Sequence, residues 1–322
     1  MLLPVISALF TGYVIASYVL ARKPQLLHTV KRFPFPALHI SHRGGAAENI
    51  ENSKEAFTFA HAVGTQMFEL DCQLTKDLQV VVFHDQSLER CTEGSGSISE
   101  YSYDNLPRYK QKLDLNFVPD TFCENSCDQP CQIVRLSDLF ETFPTVPINI
   151  DIKIDDDRLV EAVSRLIRRY KREKLTIWGG VRWRISRKCM KSNPDVLTYP
   201  PPEYVLLIVV SYYLGLLPFL SIPYDCFELP LVSVLRTKHF MKRAKIDTWF
   251  GRTFLSVLDY FMMSPGLFRQ LRLRGIPVFI WVVNTDCEYQ TAFIMGADGV
   301  MTDYPTRLRA FLDAHPDLPK AL

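Results

Sequence analysis

The chain has 322 residues, 37 Lys and Arg against 35 Asp and Glu, and 48% hydrophobic residues. A formal net charge of +2 argues against a nucleic-acid-binding role, which needs a strong basic excess. This length and apolar content suit one core domain of about 250 residues plus an N-terminal extension better than two domains.

Residues 2–21 form an uninterrupted apolar stretch of about the length needed to cross a bilayer. Arg22, Lys23, Lys31 and Arg32 follow it, and no basic residue precedes it as a cleaved signal would require. We expect an uncleaved anchor over residues 1–24, with a short outside N-terminus and the rest of the chain in the cytoplasm.

A short strand at 38–41 runs into His42-Arg43-Gly44-Gly45. Histidine exchanges a proton near neutral pH, arginine grips two phosphate oxygens, and glycine lets the backbone turn tightly. A surface His-Arg-Gly triplet alone is usually just a turn. Residues 53–63 read as a helix. Met67–Leu74 then alternates like a strand, with Glu69 and Asp71 on one face and Phe68, Leu70 and Cys72 on the other. An isolated Glu-x-Asp is most often a solvated strand face. The functional alternative is a pair of oxygen ligands for a hard cation such as Mg²⁺ or Ca²⁺.

A strand at 79–83 leads into His84-Asp85. Residues 86–134 have few periodic apolar runs and read as an insertion over the active-site mouth. Cys123, Cys127 and Cys131 lie there; without a fourth ligand nearby, zinc is disfavoured, and a disulfide requires an oxidising lumen. Cys72, on an apolar strand face, reads as a core residue. A helix at 136–143 precedes a strand at 147–153, where three isoleucines face one way and Asn149, Asp151 and Lys153 the other.

Basic residues cluster over 158–191, mostly as the solvated face of amphipathic helices such as 159–172. Residues 204–224 carry no charge before Asp225 and are long enough to cross a membrane. A crossing would put the candidate site residues before and after it on opposite sides of the bilayer. We therefore expect a buried helix or, preferably, an interfacial hairpin bent at Gly215 and Pro218. The 200–275 region yields no clear strands. Residues 278–284 form an apolar strand ending near Trp281 and Asn284, and 296–305 reads as a short strand turning into a helix. Helices are expected at 287–295 and 306–314.

The ordered set His42-Arg43-Gly44, Glu51-Asn52-Ser53, Glu69-x-Asp71, His84-Asp85, Asp151-x-Lys153, Trp281-x-x-Asn284 and Thr302-Asp303-Tyr304-Pro305 resembles the glycerophosphodiester phosphodiesterase family. The likeness spans residues 38–313 and is greatest to its membrane-anchored branch with lysophospholipase D activity. Two positions depart: Ser53 stands where the family commonly has Thr, and Asp151 where a metal carboxylate is commonly Glu. The shorter reach of Asp bears on metal preference.

The resemblance implies an α/β fold, an eightfold (β/α) TIM barrel with its chemistry at the carboxyl ends of the strands. It implies a divalent cation, Mg²⁺ or Ca²⁺, on Glu69, Asp71 and Asp151, with His84 as an alternative ligand. It further implies phosphate binding by Arg43 and Lys153, acid–base roles for His42 and His84, and a substrate cleft at Trp281 and Asn284. The expected reaction removes the headgroup alcohol from a lysophospholipid, leaving lysophosphatidic acid. The alternatives are hydrolysis of water-soluble glycerophosphodiesters, or an inactive lipid-binding membrane protein. The expected address is the endoplasmic reticulum or perinuclear membrane.

Overall fold

The computed structural model describes residues 2–118, 121–125, 129–243 and 245–318. Eight parallel strands form its centre: β1 (His39–Ser41), β2 (Met67–Leu74), β3 (Ile148–Ile152), β4 (Thr176–Gly179), β5 (Leu197–Thr198), β6 (Phe227–Pro230), β7 (Val278–Trp281) and β8 (Gly299–Thr302). Their order around the sheet is β5-β4-β3-β2-β1-β8-β7-β6. Between the two end strands, the N–H groups of Asp225 and Cys226 donate to the Thr198 carbonyl at 2.8 and 3.4 Å. The sheet thus curls into a TIM-barrel-like wall, with helices outside as right-handed crossovers require.

The alternation in β2 and β3 separates two environments. Phe68, Leu70, Cys72, Ile148, Ile150 and Ile152 point outward into an apolar cluster with helices Leu136–Thr142 and Asp157–Arg169. Burial of each such side chain contributes about 1.5–3 kcal/mol. On the inner side, Met67, Ile177, Leu197, Cys226, Phe279 and Met301 fill the lower barrel, closed by Phe35 from the chain before β1. Above that layer stand Glu69, Asp71, Asn149 and Asp151. The register sets Glu69 beside Asn149 and Asp71 beside Asp151. The Glu-x-Asp face is therefore a barrel interior, not a solvated surface.

Local chemistry fixes the element ends. Ser53 caps helix Lys54–Ala62, its Oγ accepting from Ala56 N–H at 3.1 Å. Thr285 and Glu288 form a capping box at the start of Asp286–Met295, which ends on left-handed Gly296. Gly299 admits the chain before β1, since a Cβ there would lie 1.8 Å from the Ala37 carbonyl oxygen.

One expectation is revised, and two left open become specific. The 79–83 stretch is not a barrel strand: Val80–Val82 turns back antiparallel onto the end of β2, with Cys72 opposite Val82. The strands that sequence periodicity did not resolve are β4, β5 and β6, only two to four residues each. Residues 204–224 fold as the 12-residue helix Pro202–Tyr213 and the turn Leu217–Phe219, on either side of Gly215 (φ 71°). At 1.5 Å per residue, such a helix is about 18 Å long, too short to span a bilayer.

From residues 86–134, Leu88, Cys91, Ile98, Tyr109, Leu113 and Ile133 form a small core together with Ala46, Ile50, Val81 and Phe83. Cys123 and Cys131 are buried there, and Cys127 lies outside the described residues. At the N-terminus, Leu2–Arg22 is the one helix among the described residues long and apolar enough to cross a membrane, and none of it is buried.

Candidate active site

The polar residues above the barrel's apolar layer come from the carboxyl ends of most strands. His42 and Arg43 follow β1 in a tight turn, with Arg43 in the left-handed region at φ 52°. That strained backbone aims the Arg43 N–H at Glu69, whose Oε2 accepts at 2.9 Å.

The His42 Nδ1 lies 2.6 Å from Asp303 Oδ1, just beyond β8. Asn284 holds that carboxylate: its Nδ2 donates to Asp303 Oδ2 at 2.9 Å, and its Oδ1 accepts from the Asp303 N–H at 2.8 Å. The free His42 edge faces Glu69, with Nε2 3.9 Å from Oε2. Burial disfavours the imidazolium, but Asp303 and Glu69 more than offset it and raise the His42 pKa above the ordinary value.

A second imidazole is anchored in the same way, His84 Nδ1 lying 2.5 Å from Asp85 Oδ1. Burial and the charge of Arg43 lower its pKa. Arg90, from the insertion, ties this corner together by pairing with both Asp85 and Glu51. Glu51 also accepts from Arg43 Nη1 at 3.1 Å. Burial resists its ionisation, yet Arg43 and Arg90 bring the Glu51 pKa down to about 2.

Lys153 sits between two carboxylates, its Nζ 2.9 Å from Asp71 Oδ1 and 2.6 Å from Asp151 Oδ2. Asn52 donates to Asp71 at 3.0 Å and the Tyr199 hydroxyl to Asp151 at 3.0 Å. Lys153 and Arg43 outweigh burial and hold Asp71 well below the usual carboxylate range. At two other carboxylates burial outweighs the compensation. Burial, then repulsion from Asp71, pushes Glu69 up to about 7; burial pushes Glu228, bound by Asn149 at 2.8 Å, up to about 8.

Among the described residues, no group of three or more His, Cys, Asp or Glu is arranged as a ready metal cage. The donors nonetheless match a hard divalent cation in kind. They are carboxylate oxygens, and one of them, Glu69, is buried with its ionisation opposed, a cost that bound positive charge would offset.

His42, Arg43, Glu69, His84, Asp151, Lys153 and Trp281 all line one cavity of about 880 Å³. Asp71 lies directly behind Lys153. Asn284 differs from the expectation for it: its amide is used by Asp303 and Thr302, and it does not line the cavity. Sequence motifs marked Glu51 and Asp303 but gave them no task, set Asn149 on the inward face without a role, and did not single out Glu228, Tyr199, Arg90 or Phe117. Phe117 packs edge-on to His42 at 5.7 Å. Glu228 was hidden because Phe227-Glu228-Leu229-Pro230 adjoins a long apolar stretch. The position of Asp303 just past a strand was the available signal.

Away from the polar floor the cavity is apolar, walled by Val205, Leu206, Val209, Val210, Tyr213 and Leu214, and across from them by Phe254, Val257, Leu258 and Phe261. The Tyr213 and Phe261 rings meet edge-on at 4.9 Å.

Comparison with known proteins agrees with this geometry. The model of the glycerophosphoryl diester phosphodiesterase family matches residues 42–307. The chain is 45% identical to human lysophospholipase D GDPD1 over 305 residues, 94% of each protein. It is 36% identical to human lysophospholipase D GDPD3 over 304 residues, again 94% of each. In fold it is similar to the crystal structure of the glycerophosphoryl diester phosphodiesterase domain of an uncharacterized Mycobacterium tuberculosis protein. That likeness has a TM-score of 0.63 at 16% identity and covers 86% of this chain and 99% of the other. The chain therefore belongs to the glycerophosphoryl diester phosphodiesterase family, and it is a phosphodiester hydrolase.

Proposed function

We propose that the protein is a lysophospholipase D, hydrolysing the bond between phosphate and headgroup alcohol in a lysophospholipid to leave lysophosphatidic acid. One observation carries this reading. The cavity joins a charged floor, suited to a phosphodiester, to an apolar passage suited to a single acyl chain. A water-soluble glycerophosphodiester has no use for the second part.

In this reading Arg43 and Lys153 neutralise the phosphate oxygens. Both are fixed by carboxylates, so little conformational entropy is lost when the ester binds. His42 and His84 carry the proton transfers, each with Nδ1 held by an aspartate and Nε2 left for the reaction. Their opposite shifts suit His42 to donate a proton to the departing alcohol and His84 to accept one. The free glycerol hydroxyl beside the phosphorylated carbon attacks phosphorus as it loses its proton. The P–O bond to the headgroup breaks, and a five-membered cyclic phosphate forms that water then opens. Asn284 and Asp303 are positioning residues for His42.

Glu69, Asp71 and Asp151 are the residues that would hold the divalent cation, Mg²⁺ or Ca²⁺. Bound there, it would supply charge neutralisation at the phosphoryl oxygens. The Leu2–Arg22 helix anchors the enzyme in a membrane. Its basic C-terminal flank supports a barrel on the cytoplasmic side, and the endoplasmic reticulum is the membrane that the family likeness suggests.

The test presents full-length protein in lipid vesicles with lysophosphatidylcholine and glycerophosphocholine in parallel. Choline release from the lysolipid, with lysophosphatidic acid as co-product, is expected. Turnover of glycerophosphocholine alone would overturn the assignment.

A further inference from the structure

We propose that helix Trp249–Met262 is a second membrane-contacting element. With helix Pro202–Tyr213 it sets the cavity mouth inside the lipid leaflet, so the acyl chain enters sideways from the bilayer. The inference rests on the reading above that Leu2–Arg22 spans a membrane.

The depth argument starts from two hydrogen bonds. The Tyr13 hydroxyl donates to the Leu214 carbonyl, and Ser17 Oγ donates to the Gly215 carbonyl at 2.7 Å. Tyr13 lies nine residues before Arg22, at the basic end of the span. At ~1.5 Å per residue it is roughly 13 Å along the axis from that charged end. An α-helix whose arginine marks the headgroup level therefore carries Tyr13 well into the hydrocarbon, and Leu214 goes with it. Leu214 lines the cavity. The apolar end of the cavity thus meets the span at bilayer depth, not in water.

The surface around that point has the matching composition. Trp249, Phe250, Phe254, Val257 and Tyr260 all stand exposed on helix Trp249–Met262, with Trp249 at 81% and Tyr260 at 76%. Leu206, Val210 and Leu214 are exposed on the facing segment. A soluble surface rarely gathers so many large apolar side chains beside one opening. Tryptophan and tyrosine are the residues that favour the headgroup boundary. Arg236, Lys242 and Lys245 precede the aromatic helix and Arg252 lies in its first turn, all four exposed. Arg236 and Arg252 pair with Asp259 and Asp247, while the charges of Lys242 and Lys245 suit anionic headgroups. The occupant that fits apolar chains, an aromatic boundary and a basic rim together is a phospholipid leaflet.

Trp249 and Tyr260 do not line the cavity, so they can be changed without touching the substrate passage. The full-length protein is reconstituted in vesicles of phosphatidylcholine and phosphatidylserine with bromine-labelled acyl chains, and tryptophan emission is measured. Quenching is expected in the wild type, with most of the bromine-sensitive emission lost in Trp249→Phe. In ordinary vesicles, Trp249→Glu combined with Tyr260→Glu should lower lysolipid turnover about tenfold, equivalent to about 1.4 kcal/mol of interfacial contact. Turnover of detergent-dispersed lysolipid should stay within about twofold, which also shows that the variant is folded. Protein retained by the membrane at alkaline pH but with identical quenching in wild type and Trp249→Phe overturns this inference alone. So does cross-linking of two copies through Trp249 without quenching. Protein that washes off at alkaline pH overturns the anchor, and this inference with it.

Discussion

Asp303 and His42, 261 positions apart, approach to 2.6 Å and form the contact that orients the site's first imidazole. Their joining depends on β1 and β8 being neighbours, with Ser41 opposite Thr302. A carboxylate in this place fixes the ring's tautomer and favours its protonated form, two properties that a proton-transferring histidine needs.

Replacing Asp303 with Asn therefore separates orientation from charge. The amide keeps the hydrogen-bonding shape while removing the charge that raises the His42 pKa. We expect kcat to fall by about 10²-fold or more with little change in KM. The pH-rate limb belonging to His42 should move to lower pH, because loss of an anion disfavours the imidazolium. A full pH profile of both forms checks this, and an unmoved limb would count against the role of Asp303.

The Glu51 carboxylate links Arg43 to Arg90 and carries a pH-dependent share of stability. Its pKa is depressed from 4.5 to about 2, which corresponds to about 3 kcal/mol. A depressed carboxylate stabilises the fold above its unfolded-state pKa, and that contribution is lost as pH falls from about 4.5 through about 2. Glu51→Gln should therefore be less stable than wild type by about 3 kcal/mol at neutral pH. The gap should narrow steadily below pH 4.5. Denaturant unfolding across this range measures it.

Metal dependence is tested by removal. Treatment with EDTA should abolish lysolipid hydrolysis, and Mg²⁺ or Ca²⁺ should restore it. Glu69→Ala should lose both the activity and its recovery, since it removes a buried carboxylate from the proposed ligand set. Calorimetric titration with either ion gives a readout independent of turnover: binding to wild type and weak or no binding to the variant.

The apolar passage should set chain-length selectivity. Val210 lines it yet is half-exposed, so Val210→Trp narrows the channel without forcing a new volume into the core. KM for a long-chain lysolipid should rise about tenfold, whereas kcat/KM for a short-chain analogue should change less than about twofold. Equal losses for both substrates would mean that the passage does not hold the chain.

Much of this protein was readable from local pattern. Period-two alternation in Met67–Leu74 and across residues 147–153 correctly paired Glu69 with Asp71 and Asn149 with Asp151, because a strand's side-chain direction is fixed by its backbone. The five helices expected at 53–63, 136–143, 159–172, 287–295 and 306–314 were found to within three residues at each end, whereas Trp183–Ser192, Trp249–Met262 and Pro265–Leu273 were not anticipated. The apolar N-terminal segment needed only length and composition. The strands β4, β5 and β6 were not readable, since two to four residues carry too little of a period to be recognised.

The chain's own order of residues thus determined which chemical groups are present and which side of each longer strand they occupy. Tertiary structure alone decided their partners: Asp303 on His42, Arg90 on Glu51, Lys153 between two aspartates, and Asn284 turned from the cavity to Asp303. It also set Glu228 among the other buried carboxylates and joined the cavity's apolar end to the N-terminal helix. The reason is physical: side-chain direction follows from neighbours one or two positions away, whereas charge compensation draws on groups tens to hundreds of positions distant. Those groups meet only when the sheet curls and brings its first and last strands side by side.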